Sequence, residues 1–301
     1  MKKRAILFIV IAGVMWGTSG LFSHVFGLYG YTALQKTAVR GSVAFLCMLA
    51  FVLIRHREAF RIKLRDLWLY VGIGAGLFGA AAAYYAAMVM TSESTAVVLM
   101  YTSPIYVLIF SVLFFGERLT PLKLLGVGGM LLGCCFVSGI FEGFSGNVAG
   151  ILMGLLAGVS YGAYNIFTKI ALRRSCKPMS TTLYGFMGMA ILAVCTSEPA
   201  GIFPKMMQRP GLLIPLSIAL GVVTYVVPYF LYTLALRDLP AGTASALGII
   251  EPMSATLFAF FLLEGNEPSV LSVIGIVLIL GCVLLLSRPE PEKKEKINAS
   301  N

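Results

Sequence analysis

Charge is scarce in this chain. Of its 301 residues only 12% are Asp, Glu, Lys or Arg, while 58% are hydrophobic. A soluble domain of this length carries roughly twice that charge, because it must cover its surface with polar groups. A soluble protein is therefore excluded. Histidine occurs only twice, with no HExxH, and the six cysteines form no CxxC or other metal-ligand spacing. No metal or cofactor is called for. Cys47, Cys134, Cys135, Cys195 and Cys282 fall in or beside apolar runs and read as small buried hydrophobes, with Cys176 in a basic connection. There is no P-loop signature, which removes nucleotide hydrolysis as an energy source. An enzyme working inside the membrane needs convergent acids, bases or metal ligands. The chain does not supply them, so it reads as no enzyme, and a membrane-embedded enzyme or a sensor without transport activity stays only as the alternative reading.

What the chain has in abundance is continuous apolar sequence, with a mean hydropathy of +0.90. Runs that are continuous rather than alternating point to helices, not to a barrel. The fold class is thus all-α integral membrane, with about ten transmembrane helices at roughly 30 residues per helix and connection. They are expected near residues 5–27, 31–54, 67–90, 94–115, 122–140, 148–172, 179–196, 211–236, 241–263 and 269–287, each boundary good to about three residues. The first, "AILFIVIAGVMWGTSGLF", follows Lys2, Lys3 and Arg4 and reads as a retained span rather than a cleaved leader.

The net charge of +10 is a topology signal. Arg55, Arg57, Arg61, Lys63 and Arg65 share one connection, Lys169, Arg173, Arg174 and Lys177 another, and Arg288, Lys293, Lys294 and Lys296 follow the last span. Ten spans from a cytoplasmic N-terminus put all of them on the cytoplasmic side of the cell membrane, as the positive-inside rule requires. Lys205 and Arg209 are exceptions in an outer loop. The tail 289–301 reads as a disordered cytoplasmic segment. Membrane lipid is the partner this pattern implies; no aromatic-interleaved basic platform for nucleic acid occurs.

The chain also repeats itself. Ile6, Leu7, Ala12, Gly13, Val14, Gly17 and Phe22 recur at one constant interval as Ile151, Leu152, Ala157, Gly158, Val159, Gly162 and Phe167. Tyr84, Ala87, Thr95, Ala96 and Pro104 recur as Tyr232, Ala235, Thr243, Ala244 and Pro252. Residues 1–143 and 144–288 are accordingly read as two five-helix repeats. Because five is odd, the second copy must lie upside down relative to the first. Inverted repeats of this kind build many secondary transporters, which bind their solute near the bilayer midplane.

Polar and aromatic side chains in such a bundle gather on faces that line a cavity, since lipid offers them no partner. Trp16 and Ser19 of span one, Tyr84 of span three, Tyr101 of span four, Tyr161 and Asn165 of span six, and Tyr229 and Tyr232 of span eight form such faces. With Glu251 they are the candidate substrate-binding residues, suited to a small, partly apolar or aromatic solute. Glu251 lies about 15 Å into a span about 30 Å thick. A carboxylate there is either a functional group or an acceptor for a neighbouring helix's hydroxyl. Pro252 removes a backbone donor beside it and frees carbonyls near Gly248, and Pro104 does the same in span four, so both are candidate hinges. Arg40, about 13 Å into span two, is the cationic counterpart of Glu251. The pair is the candidate for charge coupling, with protons as the coupling ion.

These residues resemble the EamA family of the drug/metabolite transporter superfamily. The carriers are "WGTSGLF", Arg40, "YYAAMVMTSESTAVVLMYTSPIYVLIFSVLFFGERLT" and its echo "YTLALRDLPAGTASALGIIEPMSATLFAFFLLEG". The resemblance implies an inverted-repeat transporter of small organic metabolites with a central cavity, often an exporter of amino acids or related compounds. Its pattern falls on Trp16, Arg40, Tyr84, Pro104, Glu117, Tyr232, Glu251, Pro252 and Glu264. The second half departs from the first: Tyr161 stands where Trp16 does, no arginine matches Arg40, and Ser103 aligns with Glu251.

Overall fold

The computed structural model describes residues 2–117, 119–143, 147–262 and 269–287. Glu264 and the tail 289–301 lie outside them. The described residues form helices and no strand. Nine helical segments are long and apolar enough to cross a membrane: Lys2–Leu28, Ala33–Arg55, Leu64–Met90, Glu93–Phe115, Pro121–Ser138, Val148–Arg173, Pro178–Thr196, Pro210–Asp238 and Ala241–Leu262. A shorter apolar helix, Val270–Leu286, follows as the tenth segment. These are called spans one to ten, and each lies within a few residues of its expected position. Large apolar side chains such as Leu113, Phe261, Val277 and Leu284 are exposed around the bundle, where only lipid gives them a suitable neighbour.

The local signals are plain in several places. Thr32 caps span two, its hydroxyl accepting from the Gln35 N–H while the Gln35 side chain accepts from the Thr32 N–H. Span four starts from Ser92, which accepts from the Thr95 N–H, and span six from Asn147, which accepts from the Gly150 N–H.

Four spans are broken rather than continuous. Span one divides at Thr18 into Lys2–Gly17 and Ser19–Leu28. Span four divides at Tyr101 and Thr102 into Glu93–Met100 and Ser103–Phe115, with Pro104 in the first turn of the second piece. Span nine divides at Gly248 and Ile249 into Ala241–Leu247 and Ile250–Leu262. Span eight contains a π-turn, Val222–Val226, in which the Val227 N–H reaches back to the Val222 carbonyl. Prolines explain three of these departures: Pro104, Pro228 and Pro252 each lack an N–H and crowd the carbonyl four residues earlier, whereas span one has no proline and breaks where the Thr18 hydroxyl donates to the Met15 carbonyl at 2.7 Å. In span nine the freed backbone closes into tight turns, Ile249 N–H to Ala246 and Glu251 N–H to Gly248.

Spans cross at glycines, and the order of contacts gives their direction. Gly126, Gly129 and Gly133 of span five meet Leu286, Cys282 and Ile279 of span ten, in that order. The two equivalent spans therefore run antiparallel. Gly13 and Gly17 of span one meet Ile250 and Ser254 of span nine, and Gly154 and Gly158 of span six meet Leu99 and Thr102 of span four. Both of those pairs run parallel, and exchanging each span with the one five places along turns the first pair into the second. The main neighbours obey the same exchange: three packs on six as eight packs on one, three on seven as eight on two.

One of the close approaches is between spans three and six. A Cβ on Gly76 would lie 2.8 Å from the Tyr164 amide nitrogen and 3.0 Å from the Ser160 carbonyl oxygen. Gly76→Leu is expected to cost about 1–3 kcal/mol through overpacking, read as a lowered thermal midpoint of the purified protein in detergent. Gly128→Leu, where nothing lies within 4 Å, is the control; equal midpoints for the two variants would mean that the helices are not this close.

Candidate functional site

The breaks and the π-turn surround one cavity of about 610 Å³, within the range of sites that hold small molecules. Its walls come mainly from seven spans, with Val137 and Ser138 of span five and Ser272 of span ten at the edge. Span one gives Trp16 and Ser19, span two Arg40, span three Tyr84 and Tyr85, span four Glu93 and Tyr101, span six Tyr161, span eight Thr224, Tyr225 and Tyr229, and span nine Glu251 and Pro252. A second space of about 700 Å³, lined by His24, Lys36, Met88 and again by Ser19, Arg40, Tyr84, Tyr85 and Glu93, continues it toward the connection between spans one and two. The cavity is open on that side.

Three polar atoms around the cavity are buried without a protein partner: Trp16 Nε1, Arg40 Nε and the Tyr101 hydroxyl. Such donors are costly in a protein interior, and here they stand in the walls of the cavity. The Arg40 guanidinium carbon is 4.9 Å from the Tyr225 ring centre and 5.8 Å from that of Tyr85. Each cation–π contact of this kind contributes about 0.5–2 kcal/mol. Glu251 stands across the cavity in the first turn of Ile250–Leu262, where the helix dipole favours a negative charge. Among the described residues no ion pair joins it to Arg40; both face the shared space.

The opposite end is shut by layers. Below Trp16 an aromatic floor is built from Tyr229 and Tyr232, with ring centres 5.0 Å and 5.5 Å from the indole, and from Tyr164 at 5.6 Å from Tyr229. Under it the Tyr232 hydroxyl donates to Asn165 Oδ1, and Asn165 Nδ2 donates to the Tyr161 carbonyl at 2.8 Å. Next, Lys169 Nζ donates to the carbonyls of Leu236 and Leu239 at 2.6 and 2.7 Å, binding span six to the end of span eight. Glu117 Oε1 accepts from the Ala241 N–H at 3.0 Å, joining span four to span nine. At the rim Arg174 pairs with Asp66 at 3.3 Å and Arg173 lies over the Phe115 ring at 4.3 Å.

The residues expected from the sequence thus separate. Trp16, Ser19, Arg40, Tyr84, Tyr101, Tyr161, Tyr229, Glu251 and Pro252 line the cavity. Asn165 and Tyr232 do not: both are fully buried in the floor and bond to each other. Pro104 is buried at the break of span four. Sequence reasoning misses Glu93, which it leaves in an outer connection; the Ser92 cap immediately before it is the signal that it opens a helix. Tyr85, Thr224 and Tyr225 belong to polar stripes visible in the sequence, but nothing there singles them out.

A duplicated helical bundle with a charged, aromatic cavity between its halves, open at one end and layered shut at the other, defines a membrane transporter. The comparisons agree. The EamA-like transporter family model matches residues 3–139 and again residues 148–288. The chain belongs to that family. An "Uncharacterized transporter" of Archaeoglobus fulgidus is 30% identical over 280 residues, covering 93% of this chain and 95% of its own. "Uncharacterized transporter YdfC" of Bacillus subtilis is 25% identical over 303 residues, covering 94% and 92%. A solved structure titled "Crystal structure of protein" superposes with a TM-score of 0.76 at 19% identity, covering 95% of this chain and 96% of that one; this likeness concerns the fold.

Lys169 is the bond most particular to the shut end. Lys169→Met leaves two buried carbonyls without their donor, at about 1.5–3 kcal/mol for a hydrogen bond to a charged group. Thr233, 1% exposed and about one turn before Leu236, is the reporter. In a background without other cysteines, Thr233→Cys is expected to react with a hydrophilic maleimide several times faster when Lys169 is replaced; an unchanged rate would show that Lys169 does not hold this end.

Proposed function

We propose that the protein is a secondary transporter of small organic metabolites, working as an exporter of amino acids or related compounds by alternating access. The two repeats, residues 1–143 and 144–288, move against each other around the cavity. The observation that carries this reading is the position of Arg40 and Glu251. Opposite charges face one aromatic-lined space that opens on one side only, which suits a zwitterion with an apolar side chain. The exchange symmetry of the helix contacts supports alternating access: if the halves trade conformations, the open and shut ends trade places at comparable energy.

The basic clusters favour a cytoplasmic shut end, with Lys169, Arg173 and Arg174, and cytoplasmic termini, by the positive-inside rule. The conformation described is then outward-open. Protons are the proposed coupling ion. Glu251 is an intramembrane carboxylate in the cavity wall that can exchange a proton through the open vestibule, and no other acid among the described residues lies so deep. Pro104 and Pro252 sit at matched breaks in spans four and nine, where a hinge needs backbone already freed from helical bonding.

The test is purified protein in liposomes, with flux of amino acids, nucleosides and organic cations followed with and without a proton gradient. Amino-acid flux that responds to an imposed pH gradient in the wild type, and loses that response in Glu251→Gln, is the expected result. Flux equally indifferent to pH in both proteins would remove the proton from the mechanism. No flux of any compound would remove the transport reading.

A further inference from the structure

Span eight differs from its twin, span three, in a way that bears on Arg40. Gly74 of span three packs on Gly188 of span seven, and Gly221 of span eight packs on Val43 and Ala44 of span two. These are equivalent crossings under the exchange of halves. Further along, Tyr84 and Ala87 are equivalent to Tyr232 and Ala235. The interval from Tyr84 to Tyr232 is one residue longer than that from Gly74 to Gly221. Span eight therefore holds one extra residue between these landmarks, and it is there that the π-turn Val222–Val226 lies, while span three remains an unbroken helix from Leu67 to Met90. A single inserted residue absorbed as a widened turn is how π-bulges arise, and they concentrate at functional sites. Pro228, just past it, helps: the Thr224 carbonyl has no N–H to receive four residues on, and the Thr224 hydroxyl donates back to Leu220 at 2.6 Å.

The consequence is local. The widened turn carries Tyr225, whose ring lies 4.9 Å from the Arg40 guanidinium carbon and 4.9 Å from the Tyr229 ring, with Phe186 behind it at 5.9 Å. Tyr85 lies against the guanidinium from span three. Two aromatic faces thus hold the charge in place without neutralising it. No carboxylate pairs with Arg40 among the described residues, its Nε has no partner, and it borders both the cavity and the vestibule. A guanidinium held flat and left with free N–H donors is shaped to receive a planar anion through paired hydrogen bonds. Span seven has no arginine at the equivalent place and span three has no inserted residue, so the charge belongs to the first half alone, the insertion to the second alone, and the two meet at this cavity.

We propose that Arg40 is the anion subsite of this cavity, taking the carboxylate or an equivalent monoanionic group of the solute. Tyr225, set by the extra residue of span eight, is the positioning residue that holds it. This rests on the transport reading of the same cavity, but binding tests it without flux.

Thermal stability of the purified full-length protein in a neutral detergent is read against three probes of one size: phenylacetate, phenethylamine and phenylalanine. A ligand bound only by the folded state raises the midpoint. Phenylacetate and phenylalanine are expected to raise it and phenethylamine to do so less. Arg40→Gln should abolish the phenylacetate shift and Arg40→Lys should keep part of it. Tyr225→Leu should narrow the preference for carboxylate over amine, and Tyr225→Phe, which keeps the ring, should preserve it. Added phosphatidylglycerol separates solute from lipid. A site for solutes keeps its phenylacetate shift, whereas loss of the shift together with stabilisation by the lipid alone assigns Arg40 to headgroups and overturns the proposal. A shift with phenethylamine alone, a phenylacetate shift that survives Arg40→Gln, or no shift with any probe overturns it as well. Binding that persists where liposome flux fails would leave the subsite standing and remove only transport.

Discussion

The hydrocarbon interior cannot hydrogen-bond, and the architecture follows from that constraint. Every backbone donor and acceptor in the spans must be satisfied within the protein, so helices are the rule and each departure from a regular helix faces inward. The breaks in spans one, four and nine and the π-turn of span eight all bring neighbouring side chains, Ser19, Tyr101, Glu251 and Tyr225, to the polar cavity. The same constraint sorts the charges. Arg40, Glu251 and Glu93 border the cavity, Lys36 borders the vestibule, Lys169 is tied to carbonyls at the shut end, and most of the other basic groups crowd the connections and helix ends.

Close helix approach gives the bundle its order. Without a hydrophobic force between helices in lipid, they are held by packing, and small residues let the backbones near one another. Gly74 against Gly188 and Gly76 against Tyr164 place spans three, six and seven in close contact, and the equivalent contacts in the other half place eight, one and two. The two halves are thus alike in their crossings, and they differ in the side chains they present. Trp16 against Tyr161, Glu251 against Ser103 and the extra residue of span eight make the cavity one-sided within a nearly symmetric frame.

Much of this was legible in the amino-acid sequence. Apolar runs marked the spans to within a few residues, because lipid leaves little freedom in where a helix starts. The duplication was visible in Gly13 and Gly158, in Tyr84 and Tyr232, and in Pro104 and Pro252. The cavity residues were legible as types but not as positions. Asn165 and Tyr161 lie on one stripe, yet about one turn of helix separates a floor residue from a wall residue, and only the neighbouring helices decide which is which. Glu93 was hidden by the chain's bend into span four. The π-turn was hidden because one extra residue in an apolar stretch changes no periodicity that the eye can follow.

The bond from Lys169 to Leu236 and Leu239 has a consequence for how the shut end lets go. An ammonium ion held by a carboxylate would, on parting, expose two opposite charges at once. Held by the ends of peptide groups instead, it leaves behind only neutral dipoles at the tip of a helix, where water can take its place. Unlatching then amounts to hydrating a single cation, and a flexible four-carbon stem lets that happen before the helices themselves have moved apart.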